Sequence, residues 1–171
     1  MICDPAQNGP GGNVRQRNGS PLDFGFIRKR AAQLFSKSRF IAAQFDGVFN
    51  TGAYSSWGPT VANRVPIHAS GPYLTPNYEA KSVGVHTNTA SCGAFRGFGV
   101  PQSAVAQEQL YDILADQIGM DRLELRRINA LKNGDPTVTG QVFETGMGID
   151  ACFDALKPAW DKALADAAHH N

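Results

Sequence analysis

The sequence has little charge imbalance: 16 Lys and Arg stand against 15 Asp and Glu, for a net charge of +1. Such a chain offers no polybasic surface for nucleic acid or an anionic membrane. Cysteine is scarce, and Cys3, Cys92 and Cys152 lie far apart without a CxxC pair. Neither a disulfide scaffold nor a zinc centre is indicated, and free, reduced thiols are expected. No apolar run reaches the roughly 18 residues of a membrane span. Met1-Ile2-Cys3-Asp4-Pro5 does not open a secretory signal. His68 and His86 lack a second ligand at metal spacing, and His169-His170 stand without further ligands. What remains is a chain of 171 residues, a single-domain length that can bury a core.

The pattern divides the chain at residue 39. Residues 1–38 read as a divergent or poorly ordered segment, with turn composition at Gly9-Pro10-Gly11-Gly12 and Asn18-Gly19-Ser20-Pro21. Within it, Ile27, Ala31, Leu34 and Phe35 have helical spacing, and Arg28-Lys29-Arg30 would be the solvated face. From Arg39 the alternation of Ile41, Ala43 and Phe45 with polar or small neighbours predicts a strand ending in the turn chemistry of Asn50-Thr51-Gly52. Gly47 marks a bulge or a close approach. Tyr54 to Pro59 is a loop whose Trp57 is expected to anchor packing. A short helix over Thr60–Ser70 follows, with Val61 and Val65 inward; then a strand through Val83, Val85 and Thr87. After Pro101 the stripe Ala106, Leu110, Ile113, Leu114 and Ile118 predicts a long helix stopped by Gly119. Asp121-Arg122-Leu123-Glu124 is a capping box for a helix to about Leu131. Helical spacing returns from Ile149 to Leu164, where Pro158 should kink or stop it, and residues 165–171 read as a flexible tail. The fold class is mixed α/β.

Between the second strand and the long helix lies Gly93-Ala94-Phe95-Arg96-Gly97-Phe98-Gly99-Val100-Pro101-Gln102. Gly97 and Gly99 permit backbone angles closed to other residues and a close approach of main chain to ligand. Arg96 supplies a planar cationic fork suited to oxyanions. Pro101 suits the first turn of a helix, whose amides would face back toward the loop. Spacing alone leaves two readings open: a tight turn with both phenylalanines in the core, or a ligand loop. The glycines fit neither GxxxxGK[ST] nor GxGxxG.

Ala94 to Gly99, with Pro101-Gln102 after it and Thr87-Asn88 before it, resembles the signature of the xanthine dehydrogenase/aldehyde oxidase family, in its molybdopterin-binding large subunit. The resemblance runs from about Arg39 to Lys162 and includes Phe45-Asp46-Gly47, Asn50 to Tyr54, Ser70 to Tyr73 and Leu123 to Arg126. It implies that residues 39–164 are part of a molybdopterin-binding domain. Met1 to Asp4 is also similar to a family strand, but the Arg-His-Pro segment that follows it in the family is missing. A local frameshift over residues 5–38 would account for that, and translating the other frames tests it.

The resemblance implies a molybdenum-dependent oxidoreductase. It would hydroxylate aldehydes or purine-like N-heteroaromatics, with water as the oxygen source. Arg96 would contact the molybdopterin, or its cytosine dinucleotide form, and Ala94 and Phe95 would line it. Phe98 would pack against the substrate ring. Arg64, 32 positions before Arg96, would bind the ring's far side. No residue here would ligate the metal directly. Iron-sulfur clusters and FAD would sit on partner domains or subunits, in a cytoplasmic assembly unless a leader elsewhere directs it to the periplasm. The family's glycine-rich cofactor loop lies upstream of this sequence and its catalytic glutamate downstream; Glu79, Glu108, Glu124 and Glu144 do not match that base. The chain is therefore expected to be a fragment that does not turn over alone. The competing expectations are an inactive remnant that only folds or associates with other subunit pieces, and an unrelated binding module.

Overall fold

A computed structural model describes residues 39–170 and two short strands before them. The expectations for Met1–Asp4, the turns before residue 21 and residue 171 lie outside the described residues. The elements run β1 (Ile27–Arg28), β2 (Phe35–Ser36), β3 (Arg39–Phe40), β4 (Ala42–Gly52), α1 (Gly58–His68), β5 (Asn77–His86), α2 (Val100–Gln117), α3 (Arg122–Asn129) and α4 (Ile149–His170).

β4 is the axis of the molecule. Its alternation buries Ala43, Phe45, Phe49 and Thr51, and it pairs in parallel with β5 from Ala42↔Asn77 to Gly52↔His86. Parallel neighbours need a crossover, and α1 provides it. Pro59 stands in the first turn of α1, where its missing N–H costs nothing. Val65, Ala62 and Ala69 of this stretch close over Phe45 and Phe49 to form one apolar core. Full burial of a side chain such as Phe45 contributes about 1.5–3 kcal/mol. Gly47 is a close approach rather than a bulge, since a Cβ there would stand 2.6 Å from the Phe49 ring. The irregularity in the ladder falls later, between Asn50 and Gly52.

β1 pairs antiparallel with β4 at Ile27↔Gly47 and Arg28↔Asp46, and β2 pairs with β3 at Phe35↔Phe40. The helix expected through Ile27 and Phe35 is therefore not formed at those positions. The edge of β4 for Ile27 and that of β3 for Phe35 offer backbone donors and acceptors that an isolated short helix cannot match.

The second core lies between β3, α2 and α3. Phe40, Tyr73, Tyr111, Leu114, Ala115 and Leu125 form it, with Met120 and Phe153 against its side. The Phe40 and Tyr111 rings lie 4.6 Å apart, and Tyr73 meets Tyr111 edge-on at 5.2 Å. Buried Asn129 accepts from the Phe40 amide at 2.7 Å and donates to the Leu125 carbonyl at 2.7 Å, tying β3 to the end of α3.

α2 corrects the expected stripe. Its buried side is Ser103, Gln107, Tyr111, Leu114 and Ala115, whereas Ile113 and Ile118 are exposed. Gln107 wins an inward place because its Nε2 donates to the Ser70 carbonyl at 3.1 Å. Gly71 lies so near that amide that it has no room for a Cβ. α3 starts with the expected cap, Asp121 Oδ1 accepting from the Glu124 amide at 2.9 Å, and stops at Asn129. α4 runs unbroken through Pro158 and on through the stretch expected to be a tail. Proline removes a hydrogen bond to the Asp154 carbonyl, but both residues are exposed, so solvent can satisfy it. The helix is pinned on both sides of the proline: Phe153 packs on the second core, and Trp160 Nε1 donates to Asp121 Oδ2 at 2.8 Å. Among the described residues no helix is long and apolar enough to cross a membrane.

Candidate functional site

The loop from residue 87 to 99 joins the end of β5 to the start of α2. Its first half is stitched to the end of β4. Thr87 Oγ1 donates to Asn50 Oδ1 at 2.6 Å, and Asn50 Nδ2 donates to Thr89 Oγ1 at 3.1 Å. The Cys92 amide donates to the Thr51 carbonyl at 3.0 Å, and the Ala53 amide to the Thr89 carbonyl at 3.1 Å. Gly52 permits this seam: a Cβ on it would collide with the Ala90 carbonyl. His86 Nδ1 lies 3.2 Å from the Gly52 carbonyl, a local structural role.

The second half turns tightly. The Phe98 amide donates to the Phe95 carbonyl at 2.8 Å and the Val100 amide to the Gly97 carbonyl at 3.0 Å. Gly97 and Gly99 hold φ of 91° and 103°, and Phe98 between them holds 47°. A bulky residue in the left-handed region costs about 1–2 kcal/mol, so its surroundings must hold it there. Two neighbours do. The Trp57 ring meets Phe98 edge-on at 6.0 Å, and the Arg64 guanidinium carbon lies 5.6 Å from the Phe98 centroid. Gly99 seats the loop on α1, its ideal Cβ position being 3.1 Å from the Val61 carbonyl and 3.4 Å from Arg64 Cβ.

The structure thus brings Arg64 and Phe98 together. It leaves Ala94, Phe95 and Arg96 exposed on the same loop. Phe95 is 63% exposed. Among the described residues, neither its side chain nor that of Arg96 has a hydrogen bond, ion pair or ring contact. An exposed arginine and an uncovered ring, on a loop fixed at both ends, leave a cationic fork and apolar surface open to an anionic, partly apolar group. Beneath the loop, Asn50, Thr51, Val61, Cys92, Gly93 and Gln102 line a small cavity. The Gln102 Oε1 atom is buried there without a partner among the described residues.

Sequence reasoning missed two members of this cluster. Trp57 does not anchor a core; it is 60% exposed and serves as a wall beside Phe98. His68 follows Arg64 by one helical turn, and Arg64 Nη2 donates to its Nε2 at 3.3 Å. Partial burial first, and the Arg64 charge second, hold the His68 pKa below its ordinary 6.5. The i, i+4 spacing of Arg64 and His68 was the available signal. No group of three or more His, Cys, Asp or Glu side chains that could hold a metal ion occurs among the described residues.

Comparison with known proteins identifies the family. Residues 32–130 match the molybdopterin cofactor-binding domain family. The nicotinate dehydrogenase large molybdopterin subunit of Eubacterium barkeri is 41% identical over 126 residues, 74% of this chain and 29% of that protein. An aldehyde oxidoreductase of Megalodesulfovibrio gigas is 38% identical over 127 residues, 74% of this chain and 14% of that one. In three dimensions, the crystal structure of the aldehyde oxidoreductase from Desulfovibrio desulfuricans superposes with a TM-score of 0.73 at 31% identity. That overlap covers 78% of this chain and 15% of that one. The chain therefore spans less than a third of these relatives. The family model covers more than half of the chain, and the chain belongs to the molybdopterin cofactor-binding domain family.

Proposed function

We propose that this chain is a segment of the catalytic subunit of a molybdenum hydroxylase, acting on an aldehyde or an N-heteroaromatic ring with water as the oxygen source. The observation that carries the proposal is the unpaired, exposed Arg96 two residues from the Phe98–Arg64 contact, on a loop clamped between β4 and α1. The residues fit a molybdopterin. Arg96 would hold its anionic part, with Ala94 and Phe95 along its side. When bound, the molybdenum centre supplies the two-electron oxidation. The chain's own residues do the positioning. Phe98 would pack against the substrate ring, and Arg64 would bind the far side of a purine-like ring, stabilising negative charge that develops there.

The names of the relatives, a nicotinate dehydrogenase and an aldehyde oxidoreductase, support both substrate classes equally. The remaining parts of the molybdenum subunit are the proposed partners, with iron-sulfur and FAD domains beyond them as electron acceptors. Val48 and Val83 support an intersubunit or interdomain contact: they pair across the ladder, and both are more than two-fifths exposed. Free thiols at Cys92 and Cys152 favour the cytoplasm.

The test uses the native assembly that contains this chain. It should hold molybdenum and a pterin and reduce a dye when given aldehyde or nicotinate. Arg96→Ala should lower the molybdenum content, whereas Phe98→Ala should raise KM at unchanged metal content. An assembly purified without molybdenum, or an Arg96→Ala variant with parental metal and kinetics, would refute the proposal.

A further inference from the structure

The loop cluster contains a side chain that no part of the proposed reaction uses. His68 ends α1, half-buried, with its Nε2 3.3 Å from Arg64 Nη2. Arginine has only donors, so this contact requires Nε2 to be the acceptor and the ring to be neutral with its proton on Nδ1. Arg64 therefore has a hydrogen-bond acceptor on one side and the Phe98 face on the other. An exposed arginine without such partners samples many rotamers and gives up that freedom when a ligand fixes it. Here the fork is already oriented.

We infer that His68 is a positioning residue: it aims the Arg64 guanidinium over Phe98 so that the substrate anchor exists before substrate arrives. The inference rests on the reading of Arg64 as a substrate-binding group. It goes beyond that reading by assigning the orientation to a different side chain. Trp57 completes the arrangement by bracing Phe98 from its other neighbour position. A conservative replacement with an uncharged acceptor, glutamine, should preserve the aim, whereas an apolar one should lose it. Protonation should also lose it, because imidazolium has no acceptor and carries the same sign as Arg64. Among the described residues, Arg64 is the charged group that lowers the His68 pKa.

The experiment is NMR of the native assembly with the arginine and histidine side chains of this chain isotopically labelled. Arg64 side-chain protons should show an upfield ring-current shift from Phe98, and His68 should be the Nδ1–H tautomer. His68→Leu should cut the ring-current shift by about half or more as rotamers spread. His68→Gln should keep it. In the parent the shift should vanish as His68 titrates below its ordinary pKa, and in His68→Gln it should persist through the same range. In the native assembly, His68→Leu should raise KM about five- to tenfold, the scale of one ordinary hydrogen bond, with kcat retained. An unchanged ring-current shift in His68→Leu, or a parent dominated by the Nε2–H tautomer, would overturn the inference. The proposed function fails separately, through absent molybdenum, which leaves the NMR result untouched.

Discussion

Gly97→Ala is the sharpest perturbation of the loop. At Gly97 φ is +91°, and an ideal Cβ would stand 2.6 Å from Pro101 Cδ and 2.8 Å from Pro101 Cγ. Two costs add. The left-handed backbone is worth about 1–2 kcal/mol for a residue with a Cβ, and forcing a methyl against a stiff pyrrolidine ring adds roughly 1–3 kcal/mol. The expected loss is about 2–5 kcal/mol, or some 5–15 °C in Tm for a domain of this size. Gly119→Ala separates the two costs. Gly119 has φ of +65° with nothing within 4 Å of its ideal Cβ, so only the backbone cost of about 1–2 kcal/mol applies. Pro101→Ala in the Gly97→Ala background removes the ring that the new methyl strikes. A double-mutant cycle by denaturant unfolding should then return a coupling of about 1–3 kcal/mol. Equal losses for Gly97→Ala and Gly119→Ala, with no coupling to Pro101, would refute the reasoning that the loop is held by close packing on the first turn of α2.

Gln107→Leu should cost about 1–3 kcal/mol, because the buried Ser70 carbonyl loses its donor; thermal unfolding reads it, and an unchanged Tm would contradict the inward role of this polar side chain. Asp121→Ala should cost about 1 kcal/mol for the lost helix cap. It also frees Trp160, whose fluorescence should shift as its indole loses the carboxylate partner; an unmoved spectrum would count against the α3–α4 contact. Burial pushes the Tyr78 hydroxyl up to about 12 from its ordinary 10.0, where it donates to the Pro66 carbonyl at 2.6 Å. Its contribution to stability is thus complete below pH 10 and lost as pH rises from 10 through about 12. Burial also raises Tyr73 and Tyr111, so Tyr78→Phe should make the alkaline limb of the stability–pH curve shallower without abolishing it, and an unchanged slope would show that Tyr78 does not contribute.

Much of the scaffold was legible before the structure, for local reasons. Period-two burial along Ala43, Phe45 and Phe49, proline at the start of α1 and the Asp121 cap each report on neighbours within a few residues. The misreadings share one cause. The α2 stripe through Ile113 and Ile118 followed hydrophobicity, but the inward face was decided by what waited opposite: the Ser70 carbonyl for Gln107 and the Phe40 and Tyr73 rings for Tyr111. Ile27 and Phe35 followed helical spacing until strand edges became available to them. Pro158 would end an isolated helix, yet Phe153 and Trp160 hold both sides of it.

The candidate site divides in the same way. Residue order alone determined the signature loop, its arginine and its two hinge glycines, because backbone freedom and side-chain chemistry are properties of single positions. Only the tertiary structure decided that Arg64 reaches Phe98 and that Trp57 braces that ring. Those contacts join α1 and the residue before it to a loop more than thirty positions away. The crossover between β4 and β5 creates that proximity, and no local pattern encodes it.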